Sequence, residues 1–349
     1  MLLYNEHVPF GITDVVLRDT LSQHDFVLLA RHESKTGYLS VLESKKEHFR
    51  VLRCDHSLLG GEWQQPPNGL EYTSRVKEPV YAVFVMLEAV RLVEVDESVA
   101  ERGIPESDKT ALVIGLGIGT TPSALVAHGI NTTTVEIDPL VHEYAEHYFG
   151  LPLNHTTVIQ DAMAFVEESN AKSTIHYDYI IHDVFTGGAE PIELFTHEFL
   201  LGLSSLLKPS GVIAINYAGD LTLPPAQIII LTIKTVFPNC RMFRENETPL
   251  SEDADFTNLV IICTKLPTPF SLRDPVEGDF LGSYARKHYL KPRYEVPSDF
   301  LDRKAIIGED YSILRKENTK RLQEWQTKSA VGHWALMRIV LPDKVWEAW

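Results

Sequence analysis

Short apolar runs alternate with segments of helical periodicity through the middle of the chain. Ala111 to Ile114 is an uninterrupted apolar run, typical of a parallel strand that is covered on both faces. The same alternation predicts further strands and helices, in chain order helix Thr120 to His128, a strand ending at Glu136, helix Pro139 to Phe149, strand Thr156 to Gln160, strand Tyr179 to His182, helix Glu193 to Leu207, strand Val212 to Asn216 and helix Pro224 to Phe237. Strands that alternate with helices in this way indicate a parallel sheet.

The two ends of the chain differ from this middle part. Phe26 to Ala30, Gly37 to Leu42 and Phe49 to Cys54 are short apolar runs separated by polar turns, which is typical of a small antiparallel sheet. Two strands near Arg241 to Arg244 and Asn258 to Thr264 complete the central sheet. We therefore predict an α/β fold with a Rossmann-like, seven-stranded, mostly parallel sheet, a small N-terminal β-rich domain and a helical C-terminal tail, divided at 1–96, 97–267 and 268–349.

A glycine turn follows the first strand of the central sheet. Gly115, Gly117 and Gly119 form GxGxG, which lets the backbone turn tightly and approach a ligand at the N-terminus of the next helix. Glu136 lies about twenty residues further on, at the tip of the second strand, where a carboxylate accepts hydrogen bonds from both hydroxyls of a ribose. Dinucleotide enzymes carry GxGxxG, so the early third glycine favours S-adenosylmethionine or a close relative over NAD.

Acidic residues end three successive strands of the predicted sheet. Glu136, Asp161 and Asp183 follow the second, third and fourth strands. Parallel strands end at one common edge, which is where open α/β sheets bind ligands. Three carboxylates at one edge are difficult to explain by packing, so we predict that they line the binding site.

Charge and cysteine content exclude several classes. A formal net charge of −16 argues against a nucleic-acid partner, because phosphate binding requires clusters of Lys and Arg. Cys54, Cys240 and Cys263 are odd in number and far apart, which favours a reducing, cytoplasmic environment over a disulfide framework or a zinc cluster. No membrane span is predicted, and His142 and His147 lie too far apart around their helix to share a metal ion. Homodimerisation is left open.

Several segments resemble the spermidine synthase-like family, within the class I S-adenosylmethionine-dependent transferase fold. They are GLGIGTT, VEID, QDA, YDYIIHD and LLKPSGVIAIN, while HSLLGGEW, HDVFTGG and His333 to Trp349 are similar to the spermidine-synthase-like proteins of fungi. The resemblance implies that Gly115, Gly117 and Gly119 face the cofactor backbone, that Glu136 binds the ribose, and that Asp161 with Ala162 binds the adenine. It also implies that Asp183 closes the pocket near the transferred group. Ile137 is also expected to bind the cofactor.

Departures from the family pattern bear on the reaction. Aminopropyltransferases carry an Asp where this chain has Ile118 and a catalytic Asp where it has Thr186, and both acids hold amines. We therefore favour methyl transfer from S-adenosylmethionine to a small-molecule acceptor, which the acidic net charge allows to be a cationic amine. Aminopropyl transfer from decarboxylated S-adenosylmethionine, with Glu190 as the catalytic base, and a non-catalytic nucleotide-binding protein stay open. The loop Glu245 to Phe256 is either an acidic lid that steers a cation or a solvated hairpin.

Overall fold

The N-terminal part of the chain is built around a five-stranded antiparallel sheet. The computed structural model describes residues 11–65, 74–95, 104–172, 175–184, 191–248, 255–297 and 313–348. Helix α1 (Gly11–Gln23) precedes strands β1 (Phe26–Glu33), β2 (Tyr38–Ser44), β3 (Phe49–Cys54), β4 (Ser57–Trp63) and β5 (Glu78–Pro79), which pair in sequential order. The predicted β-rich N-terminal sheet is confirmed, with two strands more than the three that the sequence indicated.

A short, buried connection joins this sheet to the central one. Helix α2 (Val83–Leu87) continues as a 3-10 helix (Glu88–Leu92) and then as strand β6 (Val93–Glu94). Apolar residues at helical spacing from Val80 to Val95 predict a helix in this segment. The chain instead leaves the helix at Val93, because Val93 pairs with Leu272 in a small antiparallel ladder.

Strands and helices of the central domain follow one another in the predicted alternation. They are β7 (Thr110–Ile114), α3 (Thr120–Ala127), β8 (Asn131–Glu136), α4 (Pro139–Phe149), β9 (Thr156–Ile159), α5 (Ala162–Lys172), β10 (Tyr177–His182), α6 (His197–Leu206), β11 (Leu207–Asp220), α7 (Pro224–Val236), β12 (Asn239–Arg244) and β13 (Phe256–Thr264). The C-terminal part adds β14 (Ser271–Leu272), α8 (Tyr284–Tyr289), β15 (Tyr294–Val296), α9 (Lys320–Met337) and α10 (Asp343–Glu347).

The central sheet has eight strands in the order β15-β12-β13-β11-β10-β7-β8-β9. Strands β11, β10, β7, β8 and β9 run parallel to one another, whereas β13 pairs antiparallel with β11 and β12, and β12 pairs antiparallel with β15. The predicted Rossmann-like, mostly parallel sheet is confirmed. It has one strand more than predicted, because residues 294–296 of the C-terminal part pair with the edge strand β12.

Both faces of the central sheet are buried, as its apolar strands require. Ile180, Ile213 and Ile261 on neighbouring strands are fully buried in one cluster together with side chains of α6 and α7. Ala111, Val113 and Ile181 face the opposite cluster, which includes α2. Burial on both faces fixes the register of the strands, so that their carboxyl ends meet at one edge.

Two of the three cysteines form a disulfide, which corrects the interpretation of the sequence. Cys240 on β12 and Cys263 on β13 are 23 residues apart and are bonded to each other, while Cys54 is a buried free thiol. Antiparallel pairing of the two strands places Cys240 directly opposite Cys263. The sequence interpretation failed because this register depends on a long-range strand pairing that cysteine spacing does not reveal.

Within the described ranges, no helix combines the length and the apolar character needed to cross a membrane.

Candidate functional site

A cavity of about 370 Å³ lies at the carboxyl edge of the parallel strands. This volume is within the range of small-molecule and cofactor sites. Its wall combines residues from the ends of five parallel strands, from the N-terminal sheet and from helix α9. The predicted binding edge is therefore enclosed by segments that precede and follow the central domain in the sequence.

Glycine is required in the turn after β7 because neighbouring backbone lies against it. Gly115, Gly117 and Gly119 have φ values of +88°, +55° and +83°. A Cβ atom on Gly115 would lie 2.0 Å from the carbonyl oxygen of Asp183, and one on Gly117 would lie 2.4 Å from that of Leu59. Gly115 and Gly117 line the cavity, whereas Gly119 caps the start of α3 and is not part of the lining.

Glu136 is a buried carboxylate at the end of β8 that lines the same cavity. Its side chain is 8% exposed, and its two oxygens accept hydrogen bonds from the backbone N–H groups of Leu116 (3.0 Å) and Asp138 (2.9 Å). Burial raises its pKa to about 7, although these backbone donors act in the opposite direction. Each carboxylate oxygen has further lone pairs, so Glu136 can hold the turn and a ligand hydroxyl together.

The remaining residues predicted to bind the cofactor also line the cavity. Ile137, Asp161 and Ala162 lie in its wall beside Glu136. Asp161 accepts a hydrogen bond of 3.1 Å from the backbone N–H of Ala164, at the start of α5. The structure thus places Gly115, Gly117 and these side chains around one space.

Asp183 also lines the cavity and is paired with Asn216, a residue that the sequence did not single out. The Asn216 amide donates a hydrogen bond of 2.8 Å to the Asp183 carboxylate. Burial raises the pKa of Asp183 to about 6, against the lowering effect of the Asn216 hydrogen bond. The side-chain amide oxygen of Asn216 (Oδ1) is buried and has no hydrogen-bond partner within the described part of the chain. An unsatisfied buried acceptor beside a carboxylate indicates a place for a donor on a ligand.

Aromatic side chains line the part of the cavity wall that the central domain does not supply. They are Tyr81 and Phe84 beside α2, Phe256 on β13 and His333 on α9. The Tyr81 hydroxyl is buried without a partner among the described residues, and burial raises its pKa. Burial lowers the pKa of His333 to about 4, so its imidazole is uncharged at neutral pH. The segment that begins at His333 was marked by its resemblance to the fungal proteins, but the sequence did not predict that these four residues line one cavity, because three separate regions contribute them.

The residue that replaces the glycine-turn acid of aminopropyltransferases packs against the N-terminal sheet. A Cβ atom on Gly60 would lie 2.7 Å from Cγ1 of Ile118. Thr121, at the start of α3, donates its hydroxyl hydrogen bond to the carbonyl of Phe84 (3.2 Å). The surroundings of Ile118 are therefore apolar and closely packed.

Asp138 joins the N-terminal sheet to the central domain beside the cavity. Its carboxylate accepts hydrogen bonds from the Ser34 hydroxyl, from the backbone N–H and hydroxyl of Thr36 and from the backbone N–H of Leu140. Although burial opposes it, this set of donors holds the pKa of Asp138 below its ordinary value. Thr36 itself lines the cavity.

Among the described residues, His182 and Asp255 do not line the cavity. His182 is fully buried against Phe195 and bonds the Leu194 carbonyl (2.9 Å), outside the cavity wall. Asp255 is paired with Arg244, which leaves it bound rather than available to an acidic lid. Glu190, Thr186, Glu252, Asp253 and Trp349 lie outside the described residues. Among the described side chains, no group of three His, Cys, Asp or Glu could hold a metal ion.

Comparison with known proteins confirms the family resemblance. Residues 99–244 match the model of the spermine/spermidine synthase domain. The chain is 54% identical over 355 residues to an N-terminal histidine N-methyltransferase of Emericella nidulans, an alignment that covers 99% of this chain and 62% of that protein. It is 31% identical over 189 residues to a polyamine aminopropyltransferase of Vibrio vulnificus, covering 53% of this chain and 58% of the other. The chain thus spans about three fifths of the length of these curated relatives.

The fold is shared with a solved structure. A probable spermidine synthase from Corynebacterium glutamicum superposes with a TM-score of 0.57 at 14% identity, over 80% of this chain and 94% of that one. At this identity the likeness concerns the fold alone.

Proposed function

We propose that this chain, with its match to the spermine/spermidine synthase domain, is an S-adenosylmethionine-dependent N-methyltransferase. The observation that carries the proposal is the shared cavity, in which the glycine turn and Glu136 meet the Asp183–Asn216 pair. One end offers the groups that hold a nucleoside, and the other offers a carboxylate with an unsatisfied amide oxygen. The N-methyltransferase name of the relative at 54% identity supports the same reaction.

The residues in the cavity suit this cofactor. Glu136 would accept hydrogen bonds from the ribose hydroxyls, Asp161 with Ala162 would hold the adenine, and Gly115 and Gly117 allow the backbone to lie close to the ligand. S-adenosylmethionine, when bound, supplies a sulfonium methyl group to a nucleophile. The roles of Glu136, Asp161 and Asp183 are part of the proposal.

As acceptor we propose the imidazole of an N-terminal histidine, the residue in the name of the Emericella nidulans relative. A neutral imidazole has one N–H group and one nitrogen lone pair. Asp183 or the Asn216 carbonyl oxygen would accept the hydrogen bond from the ring N–H, which directs the lone pair of the other nitrogen away from the cavity floor. Holding the ring in this orientation is the main contribution that methyl transfer requires of the protein.

Asp183 would also stabilise the positive charge that methylation creates. When the nitrogen lone pair forms its bond to the methyl carbon, the carbon–sulfur bond breaks with its electrons going to sulfur, and the positive charge passes to the ring. An ionised Asp183 beside the ring N–H stabilises this charge and accepts the proton if the product ring loses it. Because the pKa of Asp183 is raised to about 6, the ionised form prevails at neutral pH.

Aminopropyl transfer is the second reaction to be tested. The sequence identity to the Vibrio vulnificus aminopropyltransferase favours it. Against it stands the close packing of Ile118 over Gly60, which leaves no carboxylate to hold an aminopropyl ammonium there. Glu190 as catalytic base remains part of this second proposal.

Methyl transfer to a peptide whose first residue is histidine tests the proposal. We expect incorporation of one labelled methyl group into the histidine ring and loss of transfer when histidine is moved to the second position. Decarboxylated S-adenosylmethionine with putrescine serves as the competing assay. Spermidine formation without peptide methylation would overturn the proposal, and cofactor binding without either product would favour the non-catalytic alternative.

Location and assembly complete the proposal. The cytoplasmic location expected from the sequence stays a proposal, and a homodimer stays a hypothesis. The Cys240–Cys263 disulfide is the observation against a cytoplasmic location, because such bonds persist mainly in oxidising compartments. Alkylation of the protein as it is extracted from its natural source decides the point, since free thiols at both positions would support the cytoplasm.

A further inference from the structure

Helix α9 reaches the cavity from the C-terminal part of the chain, outside the segment that matches the synthase domain. His333 and Met337 on this helix line the cavity. The helix lies close to β13, because a Cβ atom on Gly332 would be 2.7 Å from the Phe256 ring. The rings of His333 and Phe256 have centroids 6.4 Å apart. The close approach of Gly332 to the Phe256 ring therefore brings two cavity residues, His333 and Phe256, next to each other.

The end of the chain is fixed by one buried arginine on the N-terminal sheet. The Arg53 guanidinium donates hydrogen bonds to the carbonyls of Val345 (3.0 Å), Trp346 (2.8 Å) and Ala348 (3.1 Å). It also lies 5.0 Å from the centre of the Trp346 ring. Burial lowers the pKa of Arg53 to about 10, so the side chain is still charged at neutral pH. The positive charge therefore neutralises the negative carbonyl end of α10.

Packing continues from this anchor to the cavity. The ring of Trp346 contacts the ring of Trp334 with a centroid distance of 5.1 Å. Trp334 is the residue next to His333, and both belong to α9. The path from Arg53 to His333 therefore runs through two indoles in edge-to-face contact, of which Trp334 is half-buried and Trp346 is buried.

Sheet order assigns this wall to the acceptor half of the cavity. Glu136 and Asp161 follow β8 and β9 on one side of β7, whereas Asp183 and Asn216 lie at β10 and β11 on the other side. Strand β13, which carries Phe256, is the next strand beyond β11. Helix α9 contacts Phe256, so it lies on the Asp183–Asn216 side and away from Glu136.

We infer that the C-terminal helix forms the acceptor wall, with His333 as a specificity-determining contact for a ring-shaped acceptor and Arg53 as the residue that positions it. This inference rests on the proposed methyl transfer. The wall is aromatic and carries no positive charge at neutral pH, so it accepts a flat ring and does not repel the charge that methylation places on it. Arg53 acts on this wall through the backbone carbonyls at 345–348 and the two tryptophans, and its Nε also donates a hydrogen bond to the Asp55 carbonyl.

Substitutions at two positions of β3 separate positioning from general stability. Arg53→Met removes the three donors to α10, and Arg53→Lys keeps the charge with fewer donors. Arg50→Met is the matched control, because Arg50 also lies on β3 but bonds Glu43 and the Tyr148 carbonyl. His333→Ala and His333→Gln test the contact itself, the second keeping a polar group of similar reach.

Kinetics with a peptide that begins with histidine and binding of S-adenosylhomocysteine are the readouts. We expect Arg53→Met and His333→Ala to raise the KM for the peptide about tenfold, with the Kd of S-adenosylhomocysteine changed less than about twofold. Arg53→Lys and His333→Gln should recover part of the loss, and Arg50→Met should change neither constant. Amide hydrogen exchange over 330–337 should quicken in Arg53→Met alone.

The outcomes distinguish this inference from the proposed function. An unchanged peptide KM in Arg53→Met and His333→Ala overturns the inference while leaving methyl transfer intact. Equal losses of peptide and S-adenosylhomocysteine binding also overturn it, since they indicate a general structural role. A parent protein that binds S-adenosylhomocysteine but methylates no peptide overturns the proposed acceptor. In that case, unaltered hydrogen exchange in Arg53→Met overturns the positioning role as well.

Discussion

The amide of Asn216 donates its hydrogen bond of 2.8 Å to the carboxylate of Asp183 across two neighbouring parallel strands, β11 and β10. Since the strands are parallel and in register, both side chains leave the sheet at the same edge. The pair holds the carboxylate in one orientation and leaves the amide carbonyl oxygen for a ligand. Several expected outcomes depend on this pair.

Replacement of Asp183 by Asn should abolish methyl transfer without weakening the fold. The folded pKa of about 6 lies above the ordinary 3.8, so the parent's stability is greatest below pH 4 with respect to this group and falls as pH rises to about 6. We expect Asp183→Asn to lack this pH-dependent loss of stability and to unfold no more easily than the parent at about pH 8. Activity should drop at least about a hundredfold. Easier thermal unfolding of the variant at that pH would contradict the expectation.

Asn216→Leu should shift the pH dependence of methyl transfer. Loss of the amide donor removes the interaction that lowers the pKa of Asp183, so the midpoint of kcat/KM against pH should move upward. A hydrogen bond to a charged group contributes roughly 1.5 to 3 kcal/mol, which corresponds to about one to two pH units. A pH–rate profile measures the shift. An unchanged midpoint would show that a group other than Asp183 controls the pH dependence of kcat/KM.

Glu136→Gln should weaken cofactor binding and remove its pH dependence. The pKa of Glu136 is raised to about 7, so protonation below that pH should reduce the parent's affinity for S-adenosylhomocysteine, while Gln has no such transition. At about pH 8 the loss should be tenfold to about a hundredfold. Calorimetry measures both constants. His142→Ala is the control, because His142 bonds the Thr157 hydroxyl outside the cavity wall and should leave affinity unchanged.

Intact S-adenosylmethionine should bind more tightly than its decarboxylated form, and spermidine should not be made from putrescine. Ile118 stands where an aminopropyltransferase has an acid, packs over Gly60 and does not line the cavity, so this position offers no carboxylate to an aminopropyl ammonium. Titration with both cofactors and detection of methylthioadenosine are the measurements. Activity of the same preparation with the intact cofactor serves as the control. Tighter binding of the decarboxylated form with turnover would support Glu190 as the catalytic base.

Removal of the Cys240–Cys263 disulfide should lower stability and spare activity. A cross-link between residues 23 apart is expected to contribute on the order of 3 kcal/mol through the unfolded chain. The bond lies near the end of β13, opposite to Phe256 and Asn258 in the cavity wall. Denaturant unfolding of the double Cys→Ala variant measures the loss. Reductant should destabilise the parent alone; an equal effect on the variant would assign the change to another cause.

Local sequence predicted the residues at the ends of the parallel strands better than the residues that other parts of the chain contribute to the cavity. Gly115, Glu136 and Asp183 could be placed because each follows a strand whose apolar pattern is continuous, and parallel strand ends meet at one edge. Asn216 also ends such a strand, but an amide carries no charge signal, and its importance depends on its neighbour on β10. His333 and Tyr81 come to the cavity from distant parts of the chain, so no local pattern predicts that they line it.

Gly119 and the disulfide illustrate the same limit in physical terms. Gly119 shares the motif of Gly115 and Gly117, yet a Cβ atom on Gly119 would face Leu151 instead of the cavity. Whether Cys240 and Cys263 meet is decided by the register of β12 on β13, which follows from burial of both strands. Periodicity predicts that such strands exist, but it does not predict how they are aligned.

The hydrogen bonds around Asp138 have a consequence for the order of events during turnover. They fasten the turn after β1 to the start of α4, directly beside Thr36 in the cavity wall. A hinge-like opening on that side would have to break these bonds to a buried carboxylate, so exchange of the nucleoside is expected to proceed past α9, through the space that the acceptor later fills. We therefore expect the cofactor to enter first and its product to leave last, which product-inhibition patterns would reveal.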